Sequence, residues 1–323
     1  MSLAEQATSF AICDFDRPWK QGIDTSFPEL PAMRNLARLF AARSIRNLEA
    51  GNPKAALRDV AFGAKIGVDA EQDRCTIAFL VRIAIQAIMN QPFIEVLQKY
   101  GDNAEVLRLA KETQRSFGGT PDLRDCFLAE IVMLQMQMEL YRDPSVPTPD
   151  GLSKANLPIL NERTRAILVD AWKSRLIAFE RQLDTSVKAS HGNLRDTQVA
   201  WQKITEKELQ SAGQPGYEIN TLIVPPFEKV PEKAMLVAAN YQLRNQMIAL
   251  LEYKIKTQNL PASMERLPIE RRYSDPFNNK PLIYRKTQKG FLLYSVSVNG
   301  TDDGGAGTRD KNKNLLDIVV NYP

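Results

Sequence analysis

The sequence predicts a mainly α-helical chain, with an N-terminal multi-helix domain of antiparallel αα-hairpins and a small C-terminal α+β module. Three observations carry this prediction. Apolar residues recur at helical spacing through most of residues 32–230. A Gly51-Asn52-Pro53 break divides two such stretches, with the proline suited to the first turn of the second helix. Beyond residue 270 the pattern changes to β-branched and aromatic residues alternating between turn signals.

The elements follow in chain order. Residues 1–31 contain Pro18, Pro28 and Pro31 among scattered aromatics and read as an extended leader lying on the body. Residues 33–49 place Leu36, Leu39, Phe40, Ala42 and Ile45 on one broad face, and residues 54–66 continue with Ala56, Leu57, Val60, Ala61 and Ala64. This pair, LARLFAARSIRNLEAGNPKAALRDVAFGAKIG, resembles a tetratricopeptide-type hairpin, whose small alanines let two helices approach closely. The likeness covers about one repeat and no second copy follows, so the expectation is one αα-hairpin and not an array.

Further helices are expected over residues 73–89, 93–100, 104–117 and 123–141. The last carries Met133, Met136, Met138 and Leu140, which read as core filler or, alternatively, as the lining of an adaptable groove. A Pro/Gly/Ser-rich loop over 143–158 leads to two long helices, 161–183 and 193–211, with Trp172 and Trp201 as core anchors. Residues 218–224 (EINTLIV) are β-prone. The boundary between a helical domain, 32–230, and a C-terminal module, 231–323, is placed at Val230. The module opens with a helix over 232–256, and residues 283–285 and 291–296 read as a β-hairpin.

Bulk composition narrows the partners. A 44% apolar, 25% charged chain is that of a soluble globular protein, and a net charge of +4 on interleaved acids and bases excludes a nucleic-acid stripe. No apolar run approaches the ~18 residues of a membrane span, and no secretory signal heads the chain. Cys13, Cys75 and Cys126 have no CxxC spacing. They read as buried thiols or, in an exported protein, as one disulfide and a leftover cysteine.

The densest chemistry lies in residues 294–318, YSVSVNGTDDGGAGTRDKNKNLLDI. Carboxylates and carbonyls gathered on a glycine-rich loop are what a hard cation such as calcium requires. The loop follows SDPFNNKPLIY and, before that, a helix leaving through YKIKTQNLPASMERL. In this order the three segments resemble the globular part of the major pseudopilin of type II secretion systems, with its DPWGNPY turn and its YSLGADG…GG…ADI calcium loop.

The resemblance implies a pseudopilin-like α+β fold over residues 231–323. It also implies a calcium ion held among Asn299, Asp302, Asp303, Asp310 and Asp317. The family's first loop aspartate falls on Asn299, which offers only a neutral oxygen, and its last falls on Asp317. Arg309, Lys311 and Lys313 add positive charge nearby, and both departures weaken calcium affinity. The competing reading is an Asn-Gly turn with solvated acids. Because soluble helices stand where a pseudopilin has its membrane helix, the module is expected to be reused. The chain is then the soluble part of an extracytoplasmic, membrane-anchored protein.

Catalytic signatures are sparse. His191 is the single histidine and lies in the loop KASHGNLRD, so a nucleophilic triad or a zinc site has little to draw on. Neither a GxxxxGK[ST] nor a GxGxxG phosphate loop is present. Glu130, set among apolar residues, is the one nominated carboxylate for a hydrolase in a cleft of the helical domain. The leading expectation is a non-catalytic cell-envelope binding or scaffold protein, offering a helical surface to a protein or peptide. A carboxylate hydrolase is the alternative, and a component of a type II secretion or pilus-like apparatus the weaker one.

Overall fold

A computed structural model describes residues 2–10, 12–120, 122–124, 128–146, 161–211, 214, 217, 220, 224–309 and 315–323. The fold is mainly α with a small antiparallel sheet near the C-terminus, as the sequence predicts. Helices α1 (Ser2–Ala7), α2 (Glu29–Glu49), α3 (Pro53–Ala70), α4 (Thr76–Tyr100) and α5 (Ala104–Ser116) come first. They are followed by α6 (Leu128–Leu140), α7 (Glu162–Ala189), α8 (Leu194–Ser211), the short α9 (Pro225–Glu228) and α10 (Val230–Thr257).

Local chemistry sets the helix starts. The side chains of Asn52, Asn103 and Asn161 accept amides of the first turns of α3, α5 and α7, leaving fewer orphan donors there. Pro53 stands at the first position of α3, and Gly51 turns back the chain with φ +75°. The α2–α3 hairpin is fastened inside by Ser44 Oγ donating to the Ala56 carbonyl at 2.9 Å, with Ala37, Ala56 and Ala64 buried. On its other side α3 meets α4 across a glycine notch. A Cβ on Gly63 would lie 2.1 Å from the sulfur of Met89.

Helix α4 corrects one expectation. Two helices are expected over 73–89 and 93–100, but a single 25-residue helix runs through Pro92, with Met89, Pro92, Phe93 and Leu97 buried. A proline inside a helix costs about 3 kcal/mol in isolation, so burial of this apolar run outweighs the local penalty. The continuous helix is also long and apolar enough by length and composition to cross a membrane, contrary to the reading from uninterrupted apolar runs. Half of that stretch is buried within the protein.

Other differences are smaller. Helix α7 extends to Ala189. Of the β-prone 218–224 stretch only Asn220 and Val224 are described, the Val224 amide donating to the Asn220 carbonyl, and the rest lies outside the described residues. The leader contains α1 and a 3-10 turn, Trp19–Asp24, and Arg17 fastens it to the body through Glu29 and Asp73. Cys13 and Cys75 are free thiols, and burial pushes the Cys75 thiol up to about 12; Cys126 lies outside the described residues.

The C-terminal sheet has strands β1 (Ile283–Lys286), β2 (Phe291–Ser295) and β3 (Ile318–Tyr322) in sequence order. Register is set by Ile283 opposite Tyr294, and by Leu293 opposite Val320. Alternation along β2 turns Phe291 and Leu293 to the helices, where Phe291 stacks on Tyr322 at 5.4 Å. Tyr294 and Leu292 face the other way.

Two hydrophobic cores share helices α4 and α10, with Phe79 of α4 in the second core and Met89 in the first. The first joins Phe40, Leu57, Phe93 and Leu97 to Met247 and Leu251 of α10 and to Leu293 of the sheet. The second gathers Trp172, Trp201, Phe179 and Phe227, and takes Val230 and Ala234 from the start of α10. Truncations in either core should therefore act on one transition. Trp201→Ala is expected to cost about 3–5 kcal/mol and Leu293→Ala about 2–5 kcal/mol, each lowering a single unfolding step in denaturant. Two separable steps, each moved by one variant alone, would show that α10 does not couple the cores.

Candidate functional site

The site nominated by sequence lies on the outer face of the sheet. Gly304 and Gly305 both have left-handed backbones, φ +78° and +82°, which bring the loop down onto β2. A Cβ on Gly305 would stand 2.6 Å from Leu292 Cδ2. This conformation aims the Gly305 and Ala306 amides at one oxygen of Asp317, Oδ2, at 2.9 and 3.0 Å. Asp317 is fully buried, and its second oxygen, Oδ1, has no hydrogen-bond partner among the described residues. Burial pushes its carboxyl above the usual aspartate range, the Gly305, Ala306 and Asp303 backbone amides pull it back, and the Asp303 carboxylate adds to the rise.

The other nominated residues fall into three situations. Asn299 and Asp303 are joined, Nδ2 donating to Oδ2 at 2.7 Å, while the Asn299 oxygen already accepts the Thr301 amide at 3.0 Å. Asp302 is turned towards the strands. Its carboxylate accepts the Tyr294 hydroxyl at 2.8 Å and the Gly304 amide at 2.9 Å, with Arg285 Nη2 at 3.3 Å. The Gly304 amide and the Tyr294 hydroxyl hold Asp302 below its usual range, while burial drives Tyr294 up to about 12. Asp310 lies outside the described residues. The loop thus brings Asp303 near Asp317 and ties Asp302 to Arg285; no group of three His, Cys, Asp or Glu side chains arranged to hold a metal occurs among the described residues.

Asp275, from the SDPFNN turn, fixes the platform beneath the loop. Its buried carboxylate accepts the Phe277 amide and Ser295 hydroxyl on one oxygen, at 2.9 and 3.0 Å, and the Val296 amide on the other, at 2.8 Å. The turn and the end of β2 are therefore one unit. Glu130 serves another local end: its carboxylate accepts the Thr76 amide at 3.2 Å at the start of α4, and burial raises it above the usual range. His191 sits exposed in the α7–α8 turn, with Nδ1 2.9 Å from the Ala189 carbonyl.

One further place was not visible in the sequence. A pocket of about 300 Å³ opens between α4, α10 and the C-terminal loop, lined by Ile83, Gln86, Leu236, Arg244, Val298 and Leu315 among others. The signal for it was a lone arginine in the apolar stretch AMLVAANYQLRNQMIALL. Its relevance depends on partners far away in sequence.

Removing the Asp275 carboxylate should loosen the platform. Asp275→Ala strands two buried amides and is expected to lose about 2–4 kcal/mol of stability by denaturant titration. Asp275→Asn, which keeps one acceptor oxygen, should lose clearly less. Equal, negligible losses in both variants would mean that the clasp is dispensable.

Comparison of the chain with family models, with curated proteins and with solved structures found no match.

Proposed function

We propose that the chain is a non-catalytic binding or scaffold protein of the cell envelope, whose helical layer takes up a protein or peptide segment. The observation that carries this reading is a row on α6. Val132, Met136 and Leu140 follow one another at i+4 spacing and are 42%, 41% and 39% exposed, while Met133 and Met138 of the same helix are buried. One helix thus serves the core with one face and offers apolar side chains to solvent with another. Methionine adapts to varied partners, and apolar anchors at one-turn spacing suit a helix or extended segment laid alongside.

A photo-crosslinker placed at position 136 of the full chain in its native cells should give a discrete adduct. The adduct should disappear when Val132 and Leu140 are both changed to Glu, with the melting temperature unchanged. No adduct, or one that persists in the double variant, would remove the basis for this surface.

The C-terminal module is proposed as a pseudopilin-like, calcium-stabilised platform. Two features support it: the buried unpartnered oxygen of Asp317, and Asp303 close enough to raise the Asp317 carboxyl. A cation bound there would satisfy the oxygen that the protein leaves open. The sign of the pH effect follows from the raised carboxyl. The folded state holds the Asp317 proton to a higher pH than the unfolded chain, so this group favours folding at acid pH and that gain is lost as pH rises through the folded value.

Without cation at neutral pH, Asp317→Asn should therefore be at least as stable as the parent. Calcium at a hundredfold excess over its dissociation constant should stabilise the parent by about 2.7 kcal/mol and leave Asp317→Asn unmoved. The calcium effect should shrink as pH falls into the window above 3.8, the ordinary aspartate value. Melting curves that are the same in calcium and in chelator would refute the calcium platform.

A further inference from the structure

Arg244 is the most anomalous charge in the molecule. It sits mid-way along α10, 1% exposed, and no carboxylate pairs with it among the described residues. Its partners are neutral: Nε donates to Gln114 Oε1 at 2.7 Å and Nη1 to Asn90 Oδ1 at 2.8 Å, and the guanidinium lies 3.9 Å from the Phe117 ring centroid. Nη2 is buried and has no acceptor among the described residues. By contrast Arg82, also buried, meets Glu71 and the Phe117 and Gly119 carbonyls. Burying a cation without a counter-charge is strongly unfavourable unless something completes its shell. Burial pulls the guanidinium down to about 9, so it remains charged at neutral pH.

Arg244 also lines the 300 Å³ pocket, and the rest of that lining says what could complete the shell. Ile83, Leu236, Val237, Val298 and Leu315 make it substantially apolar. Lys233 and Arg309 add positive charge, and Glu232, the acid in the lining, has Lys233 at 3.2 Å. The volume is at the lower end of small-molecule sites, about 300–1,000 Å³. We infer that this pocket binds a small organic carboxylate, its oxygens received by Arg244, whose Nη2 is buried and unpartnered among the described residues, and its apolar body by Leu236, Val298 and their neighbours. A monoanion on an apolar body fits better than a free phosphate. One guanidinium serves a carboxylate, whereas a bare phosphate would leave the apolar wall of Leu236, Val237, Val298 and Leu315 uncovered.

The site is separate from the α6 row, and it shares the C-terminal loop through Val298, Arg309 and Leu315 but does not use Asp317, so failure of either proposal leaves it standing. The test is calorimetric titration of the full chain with hexanoate, with hexanol as the neutral match and inorganic phosphate as the bare anion. Hexanoate should bind the parent, and hexanol and phosphate at least tenfold more weakly. Arg244→Met should weaken hexanoate at least tenfold while melting no lower than the parent, because an unpaired buried charge has been removed. Leu236→Trp, which fills the pocket and leaves the arginine in place, should weaken it as much, and it carries the test if Arg244→Met does not fold. Absence of hexanoate binding to the parent, undiminished binding in the folded variants, or phosphate binding as tight as hexanoate would each overturn the inference.

Discussion

Helix α10 is buried over most of its length and on several faces, and the other elements are arranged around it. Its first turns, Val230 to Ala234, belong to the tryptophan-rich core of α6 to α9, and the stretch from Met235 to Leu251 belongs to the core that α2 to α5 share with the sheet. An apolar helix of this kind is stable in water only when neighbours cover all its sides. Polar ties hold the C-terminal module to the same assembly. Gln246 of α10 accepts the Tyr273 amide and donates to the Arg271 carbonyl, and Lys254 reaches Asp102 beyond α4. Gln98 of α4 donates to the Asn321 carbonyl of β3. The boundary drawn at Val230 falls at the first residue of α10, whose side chains enter both cores.

Buried polar groups divide into two kinds against this background. Asp275 and Arg82 have their hydrogen-bonding capacity largely met and act as internal fasteners. Asp317 and Arg244, like Arg82 at its Nε, are among the buried groups that keep one atom without a hydrogen-bond partner among the described residues. Native proteins rarely leave such atoms open without a use for them.

The helices and the first hairpin were legible because their apolar periodicity extends over many residues and is bounded by Gly, Pro and Asn. Strand β3 was not, since IVVNY is five residues at the very end of the chain and gains its identity only from pairing with β2. The gap expected between residues 89 and 93 is absent for a physical reason: Pro92 is buried within α4, and tertiary burial overrides its local propensity. In the loop, Asn299 and Asp317 are picked out by the resemblance, but the fate of Asp302 depends on Tyr294 and Arg285 from the strands. Arg244 was least legible of all. Its hydrogen-bond partners Gln114 and Asn90 are 130 and 154 positions away, and its lack of a counter-charge exists only in three dimensions.

Native-state hydrogen exchange along α10 tests the shared-helix account most directly. If one helix couples both cores, amides near Ala234 and near Leu250 should exchange through the same opening, with the free energy of global unfolding. Exchange of the first turns through a separate, cheaper opening, while the Leu250 region stays protected to the global limit, would contradict it.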